Sequence, residues 1–164
     1  MKALFLVVMV ITGYSTIVQA QKNPASTPIL VYGDPITLQQ ADQIMTAAIQ
    51  ESTNNGWTMA VAIVDAGGNL IAFKRMDNTQ VGSIAVAMGK AKTANNFKRP
   101  TKVFEDAVAV GGIGLRILSL PDVVPLEGGE PILLNGKVIG AIGVSGMSSA
   151  QDAQVARAGI AALK

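Results

Sequence analysis

Apolar and polar residues follow their clearest pattern between Gly128 and Lys164, where they predict two paired strands and a closing helix. The apolar runs Pro131–Leu134 and Val138–Val144 flank the dipeptide Asn135-Gly136. Asn-Gly adopts the positive φ angles of a two-residue type I′ turn with little strain, so the two runs are predicted to form a hairpin.

Glycine recurs every third residue through the second of these strands, at Gly140, Gly143 and Gly146. A strand glycine has no side chain to pack, and it often marks a point where a neighbour approaches the backbone closely. A helix or a ligand can be that neighbour. The helix predicted after this strand is one candidate, because its face consists of the small or narrow residues Ala153, Ala156, Ile160 and Ala161.

One capping signature begins two predicted helices. Ser148 is followed three residues later by Gln151, and Thr37 is followed at the same spacing by Gln40. At this spacing the hydroxyl and the amide satisfy free backbone N–H groups at a helix start. We therefore expect one helix from Ser149 onward and another that runs to about Ser52.

Two further apolar runs predict a second hairpin. Met59–Val64 is almost continuously apolar, the sequence DAGGN supplies turn residues, and Leu70–Phe73 resumes an apolar run. A strand that is apolar on both sides has to be covered on both faces. We therefore expect helices on both sides of a central antiparallel sheet.

Three more elements complete the predicted fold. The pattern predicts a helix from about Gly82 to Phe97, a short helix from Thr101 to Val108 and a candidate strand at Ile117–Leu120. The chain is thus predicted to be a single α/β (α+β) domain. Its sheet would have about five antiparallel strands with helices on both faces.

The N-terminal residues predict a leader. Residues 1–20 combine a charged start, a short apolar run and a small-x-small site ending at Ala20, which is typical of a signal peptide. The run is shorter than the ~20 apolar residues of a membrane span. Residues 21–36 contain three prolines and predict an exposed arm, and residues 37–164 form the predicted domain. We expect a secreted or periplasmic protein.

The composition excludes several classes of function. A net charge of +2, one of which belongs to the leader, and only seven aromatic residues argue against nucleic-acid binding. The chain has no cysteine, which excludes thiolate haem and iron–sulfur centres. It also has no histidine, which excludes a Ser-His-Asp relay, imidazole zinc sites and a proximal-histidine haem.

Several separated motifs resemble one family, in the same order along the chain. The segments AVAIVDAGGNLIAFKRMD, KAKTA, GGEPILLNGKVIGAIGVSG and QDAQVARAGIAAL are similar to those of the GlcG/HbpS family, the haem-binding-protein-like domains that also form the C-terminal domain of PduO-type proteins. The resemblance covers roughly Thr37 to Lys164. It implies a profilin-like or GlcG-like fold, haem or a related tetrapyrrole as ligand, and homo-oligomers from dimer to octamer.

Four polar residues lie between the second hairpin and the helix after it. Arg75 and Asp77 end a strand, and Lys90 and Thr93 lie within the helix, so all four can converge on one cleft. The spacing also allows Arg75 and Asp77 to form a surface ion pair and Lys90 to lie on a solvated face. The resemblance favours the cleft, because the RMD and KAKTA motifs match those of the family.

If haem is the ligand, the basic and apolar residues of this region are candidates to hold it. Lys90, Lys92 and Arg75 can neutralise the propionates, whereas Ile84 and Met88 can cover the macrocycle.

The axial ligand of such a haem has to be a hydroxyl, a thioether, an amine or a phenolate, because imidazole and thiolate are absent. The resemblance implies Thr93. Tyr32 is the chemically stronger oxygen donor, but it lies in the predicted arm.

Two carboxylates, Glu127 and Glu130, flank a Gly-Gly turn, where they can serve acid–base catalysis or simply be solvated.

Our first hypothesis for the function is an exported small-ligand-binding protein. A small-molecule enzyme, such as an isomerase or hydrolase of a small organic acid that uses Arg75, Lys90 and Glu130, remains an alternative. A structural interaction module is the third.

Overall fold

The computed structural model describes residues 29–163, which form five strands and five helices. The predicted signal peptide and residues 21–28 of the predicted arm lie outside the described residues. The strands are β1 (Val31–Tyr32), β2 (Ala60–Asp65), β3 (Leu70–Arg75), β4 (Gly129–Leu134) and β5 (Lys137–Ser145). The helices are α1 (Leu38–Asn54), α2 (Ser83–Phe97), α3 (Lys102–Ala109), the 3₁₀ helix η1 (Gly112–Ser119) and α4 (Ser149–Ala161).

The long strand β5 lies at the centre of the sheet. β4 pairs with one of its edges, and β2, followed by β3, pairs with the other edge, all antiparallel. The short strand β1 pairs with Lys137 and Val138 at the start of β5, and this pairing is parallel. The antiparallel prediction is therefore right for four strands and wrong for β1, whose two residues are too few to show any alternation pattern.

Local signals in the sequence begin and end these elements as predicted. The β4–β5 turn has φ angles of 51° at Asn135 and 74° at Gly136, which confirms the two-residue turn with positive φ at both positions. Capping boxes begin α1 at Thr37 and α4 at Ser148. Four of the five helices thus lie within two residues of their predicted positions.

The fifth helix replaces a predicted strand. The segment Ile117–Leu120 was expected to be extended, but it belongs largely to η1. Two consecutive glycines with positive φ, Gly111 and Gly112, turn the chain into this 3₁₀ helix, and Pro121 follows it. Among the helices of residues 29–163, none is long and apolar enough to cross a membrane.

Two layers of helices cover the sheet and enclose different cores. On one face α1 and α4 pack over large side chains, including Ile44, Met45, Met59, Ile63, Ile132 and Ile142. On the other face α2 packs over small ones, including Ala60, Ala62, Ala87, Ala91, Ala94 and Ala141.

The close neighbour of Gly143 is a helix, and that helix is α2 rather than α4, whereas Gly140 lies close to Val64 of β2 and Gly146 lies close to Thr58. A Cβ atom placed on Gly143 would lie 2.1 Å from the Ala87 carbonyl oxygen and 2.4 Å from the Ala91 nitrogen. α4 makes its own close approach to α1, where a Cβ on Gly159 would lie 3.0 Å from the Ile44 oxygen.

Candidate functional site

A cleft of about 640 Å³ opens on the outer side of α2. Three segments form it: the β2–β3 turn at residues 67–69, the outward face of α2, and residues 122–124 after η1. Met88 and Lys92 project from α2, and Val123 and Val124 face them from the third segment. The cleft therefore combines apolar side chains with the Lys92 ammonium, the Asp122 carboxylate and two asparagine amides, which suits a partly apolar ligand that also carries polar groups.

The pattern of α2 explains why these side chains face outward. Ala87, Ala91 and Ala94 are fully buried against the sheet. In a helix of 3.6 residues per turn, Met88 and Lys92 lie four residues apart and share the opposite side. Close packing of the small inner face therefore fixes the outer face relative to the β2–β3 turn.

Two hydrogen bonds join this helix to its surroundings near the cleft. The side-chain amide of Asn95 donates to the Ala66 carbonyl oxygen at 3.1 Å, which attaches the end of α2 to the β2–β3 turn. The hydroxyl of Thr93 accepts the N–H of Val124 at 2.9 Å, which attaches the third segment. Two residues of a single turn of α2 thus hold two walls of the cleft by polar contacts.

Met88 and Lys92, both named from the sequence, line the cleft, and Thr93 borders it. The Thr93 side chain is buried, and its hydroxyl donates to the Gly89 carbonyl oxygen at 2.8 Å while it accepts from Val124. Its role as an iron ligand remains a prediction, and such a role would compete with both of these hydrogen bonds.

Lys90 does not lie on a solvated face, and that expectation is wrong. Its side chain is 2% exposed, and its ammonium lies 2.7 Å from the Asp152 carboxylate and 3.0 Å from the Val144 carbonyl oxygen. Helix periodicity alone therefore gave the wrong environment for this lysine. In this structure the Lys90 charge is neutralised by Asp152 rather than offered to a ligand.

The partner of Lys90 was not identified from the sequence. Asp152 lies in the first turn of α4, and its second carboxylate oxygen accepts the Met147 N–H at 3.1 Å. Burial raises the pKa of the Asp152 carboxyl, and the Lys90 ammonium acts in the opposite direction. The spacing of 62 residues between the two partners gave no local signal.

Arg75 and Asp77 lie at the far end of the β2–β3 hairpin from the cleft. Both are exposed, and β3 carries the chain about 16 Å from Leu70, beside the turn, to Arg75. The salt bridges among residues 29–163 include neither of them, so the expected surface ion pair is not formed. The structure therefore does not bring Arg75 and Asp77 together with Lys90 and Thr93.

Glu130 lies on the opposite face of the sheet from the cleft. It pairs across the strands with Ile142, and its carboxylate lies 3.2 Å from the Arg157 guanidinium of α4. Glu127 is 3.7 Å from the same nitrogen. Each carboxylate side chain is only 12% exposed, so the expectation of a solvated turn is wrong.

The environment of Glu130 shifts its titration. Burial raises the pKa of the Glu130 carboxyl, and the neighbouring Arg157 charge and hydrogen bond oppose that change. Among residues 29–163 Glu130 pairs with Arg157 and Lys90 pairs with Asp152, so the described contacts do not join the residues chosen for the enzyme alternative.

Tyr32 is placed at the end of α2 rather than in the cleft. Its hydroxyl donates to the Asn95 carbonyl oxygen at 2.8 Å, and the Lys98 ammonium lies 5.3 Å from the centre of its ring. Burial raises the pKa of the Tyr32 hydroxyl. Part of the predicted arm is therefore ordered, and the phenol is engaged by the carboxyl end of the helix.

The sequence reasoning missed the third wall of the cleft. Residues 122–124 lie between Pro121 and Pro125 and were not among the candidate site residues. Prolines that flank two valines within an otherwise irregular segment are the signal that was available. Among residues 29–163 no group of three or more acidic side chains is arranged to hold a metal ion.

Comparison with proteins of known sequence identifies relatives. GlcG of Escherichia coli strain K12 is 39% identical over 110 residues, which cover 67% of this chain and 81% of GlcG. The family profile described as haem degrading protein HbpS-like matches residues 36–161.

Comparison with solved structures gives the same result. The crystal structure of a PduOC:heme complex has a TM-score of 0.73 and 31% identity, and the match covers 79% of this chain and 96% of that one. A double mutant of HbpS from Streptomyces reticuli has a TM-score of 0.74 and 31% identity, with coverage of 86% and 99%. The resemblance found in the motifs is confirmed, and the chain belongs to the HbpS-like family.

Proposed function

We propose that this protein binds haem or a related tetrapyrrole in the cleft beside α2. The observation that carries the proposal is the lining of that cleft, in which Met88 and two valines supply apolar contact and the Lys92 ammonium lines the same cleft as the Asp122 carboxylate. The family supports the choice of ligand, because a structural neighbour, PduOC, was crystallised as a heme complex.

The residues present fit haem by burial and charge more than by iron ligation. Met88, Val123 and Val124 offer apolar contact to a macrocycle, and Lys92 can attract a propionate. Since the chain has no histidine or cysteine, the Met88 thioether is the soft ligand atom that this cleft offers to iron. Bound haem would supply redox and oxygen chemistry, while the protein supplies the apolar enclosure.

The proposal includes export and self-association. Export is supported by the leader-like residues 1–20. Self-association, from a dimer up to an octamer, is supported by the apolar side chains that α3 and η1 leave in solvent, with Val110 88%, Ile113 79% and Leu118 61% exposed. Light scattering of the protein lacking residues 1–20 tests the assembly.

Titration with haem followed by absorbance tests the ligand. We expect a saturable, stoichiometric Soret shift for the unmodified protein. Lys92→Ala should weaken binding about fivefold, the effect of losing one partly exposed charge contact, and Met88→Ala should change the visible bands. Lys74→Ala is the matched control, because Lys74 is exposed on the strand face away from α2.

Gradual adsorption without saturation would contradict the proposal. Equal effects of Lys92→Ala and Lys74→Ala would contradict the choice of cleft.

A further inference from the structure

The third wall of the cleft is a strap, defined here as residues 121–126. None of its residues is buried, and it begins and ends close to prolines, at Pro121 and Pro125. Proline has no backbone N–H and cannot join a strand ladder through it. Asp122 has a φ of 58°, in the left-handed region that favours glycine. The strap therefore has little regular structure of its own to hold it in place.

Thr93 makes the contacts that hold the strap. Within residues 29–163, the hydrogen bonds of the strap run to the Thr93 hydroxyl, which accepts the Val124 N–H at 2.9 Å. The strap also packs on Gly89, where an added Cβ would lie 2.4 Å from a methyl group of Val124. One hydroxyl and one missing side chain on α2 thus determine how closely the strap lies to the helix.

The strap is followed by a firm anchor. The Glu127 N–H donates to the Glu105 carboxylate at 2.6 Å. The Gly129 N–H donates to the Thr101 hydroxyl at 2.9 Å, and the Gly129 carbonyl oxygen accepts the Thr101 N–H at 2.9 Å. A movement of the strap away from α2 therefore breaks the Thr93 contact and leaves the entry to β4 intact.

We propose that Thr93 is a positioning residue whose hydroxyl latches the strap over the cleft and so limits access of ligand to Met88. The ligand named here rests on the proposed function, whereas the latch rests on the contacts of Thr93, Gly89 and Val124. Thr93 thereby acts through the strap and not by touching the ligand.

The absence of cysteine allows a direct test without haem. In the variant Met88→Cys the introduced thiol is the only one in the chain, so its rate of modification by a small maleimide reports how often the cleft is open. Adding Thr93→Val should raise that rate about fivefold, the population change expected for losing one hydrogen bond. Thr93→Ser should restore the original rate, because it keeps the hydroxyl.

The matched control is Thr53→Val. The Thr53 hydroxyl donates to the Ile49 carbonyl oxygen at 2.9 Å on α1, the same bond within a helix that Thr93 makes to Gly89, but no strap residue donates to it. A rate for Thr93→Val equal to that for Thr53→Val overturns the latch.

A second variant guards against misfolding of Thr93→Val. Gly89→Ala favours the helix by propensity and displaces Val124 by contact, so it should also raise the modification rate of Met88→Cys. An unchanged rate in a folded Gly89→Ala protein likewise overturns the proposal.

Haem release separates this inference from the proposed function. Transfer of haem to an excess of a scavenging apoprotein should be about fivefold faster from Thr93→Val than from Thr93→Ser. If the unmodified protein binds no haem, the proposed function fails, and the thiol measurements still decide whether the latch exists.

Discussion

The two faces of the sheet are built on opposite principles. The face under α1 and α4 is filled by large side chains, such as Ile63 and Ile142, which hold the helices away from the strands. The face under α2 is filled by alanines and by the bare backbone of Gly143, so that α2 lies directly on β5. We call these the thick face and the thin face.

The difference in packing between the two faces explains how the cleft is positioned. Burial of large apolar side chains supplies most of the hydrophobic free energy, which is about 1.5–3 kcal/mol for each such residue. The thin face buries less area per residue, but the contact of α2 with β5 leaves the helix little freedom to shift. The thick face therefore mainly stabilises the fold, and the thin face mainly fixes the helix that carries Met88 and Lys92.

One ion pair connects the two layers. Lys90 belongs to α2 and Asp152 to α4, and both side chains are 2% exposed. A buried pair of this kind contributes little over an apolar replacement, but removing one partner leaves an uncompensated charge.

The largest expected effect comes from breaking that connection. Asp152→Ala should lower the free energy of unfolding by about 3–5 kcal/mol, because the Lys90 ammonium then remains buried without its partner. The double variant Lys90→Met, Asp152→Ala should recover a large part of the loss. Urea unfolding monitored by the fluorescence of Trp57 measures the free energy of unfolding of the single and the double variant.

The control for Asp152 is Asp106→Ala, which breaks an exposed ion pair with Lys102. That change should leave the free energy of unfolding nearly unaltered, because water screens an exposed pair. Similar losses for the two aspartate variants would show that the layers are not joined by the buried pair.

A smaller effect should distinguish the two faces. It is the change in the free energy of unfolding when one carbon is added to the thin face or removed from the thick face. Gly143→Ala places a Cβ of β5 against the backbone of α2, and neither the strand nor the helix can move away easily. The change should therefore lower the free energy of unfolding by about 3 kcal/mol. Ile63→Val removes one methylene from the thick face and should cost only about 0.5–1.5 kcal/mol.

Gly82→Ala is the control for Gly143→Ala, because no atom lies within 4 Å of its added Cβ. If Gly143→Ala and Gly82→Ala lower the free energy of unfolding equally, α2 is not packed directly on β5 and the thin face does not exist as described.

The sequence predicted the fold well because its signals are local. The Asn135-Gly136 turn and the capping residues Thr37 and Ser148 act within a few residues of themselves, and all three behave as expected. The strand β1 was missed as a parallel partner because its pairing depends on residues more than 100 positions away.

The candidate site was predicted less completely, because burial and charge pairing are properties of the tertiary structure. A lysine on a helix is normally solvated, and nothing near Lys90 in the sequence indicated Asp152 as its partner. Glu130 was expected in solvent for the same reason. Met88 and Lys92 do line the cleft, because their position follows from the helical period of α2, and their role as ligand-binding residues stays a prediction.

The smallest expected effect concerns the buried carboxylate at the margin of the thick face. The folded-state pKa of Glu130 is raised by burial above its ordinary value of 4.5, so the native state retains this proton to higher pH than the unfolded chain. The stability contributed by the protonated form is complete below the unfolded pKa and is lost as the pH rises through the folded pKa. In Glu130→Gln this loss should disappear, so the free energy of unfolding should fall less between pH 4.5 and neutral pH than in the unmodified protein.

Arg157→Gln should have the opposite effect and extend the loss of stability to higher pH, because the arginine holds the Glu130 pKa down. Urea unfolding across this pH range gives both slopes, and identical slopes for the unmodified protein and Glu130→Gln would show that burial at this margin does not perturb the carboxylate.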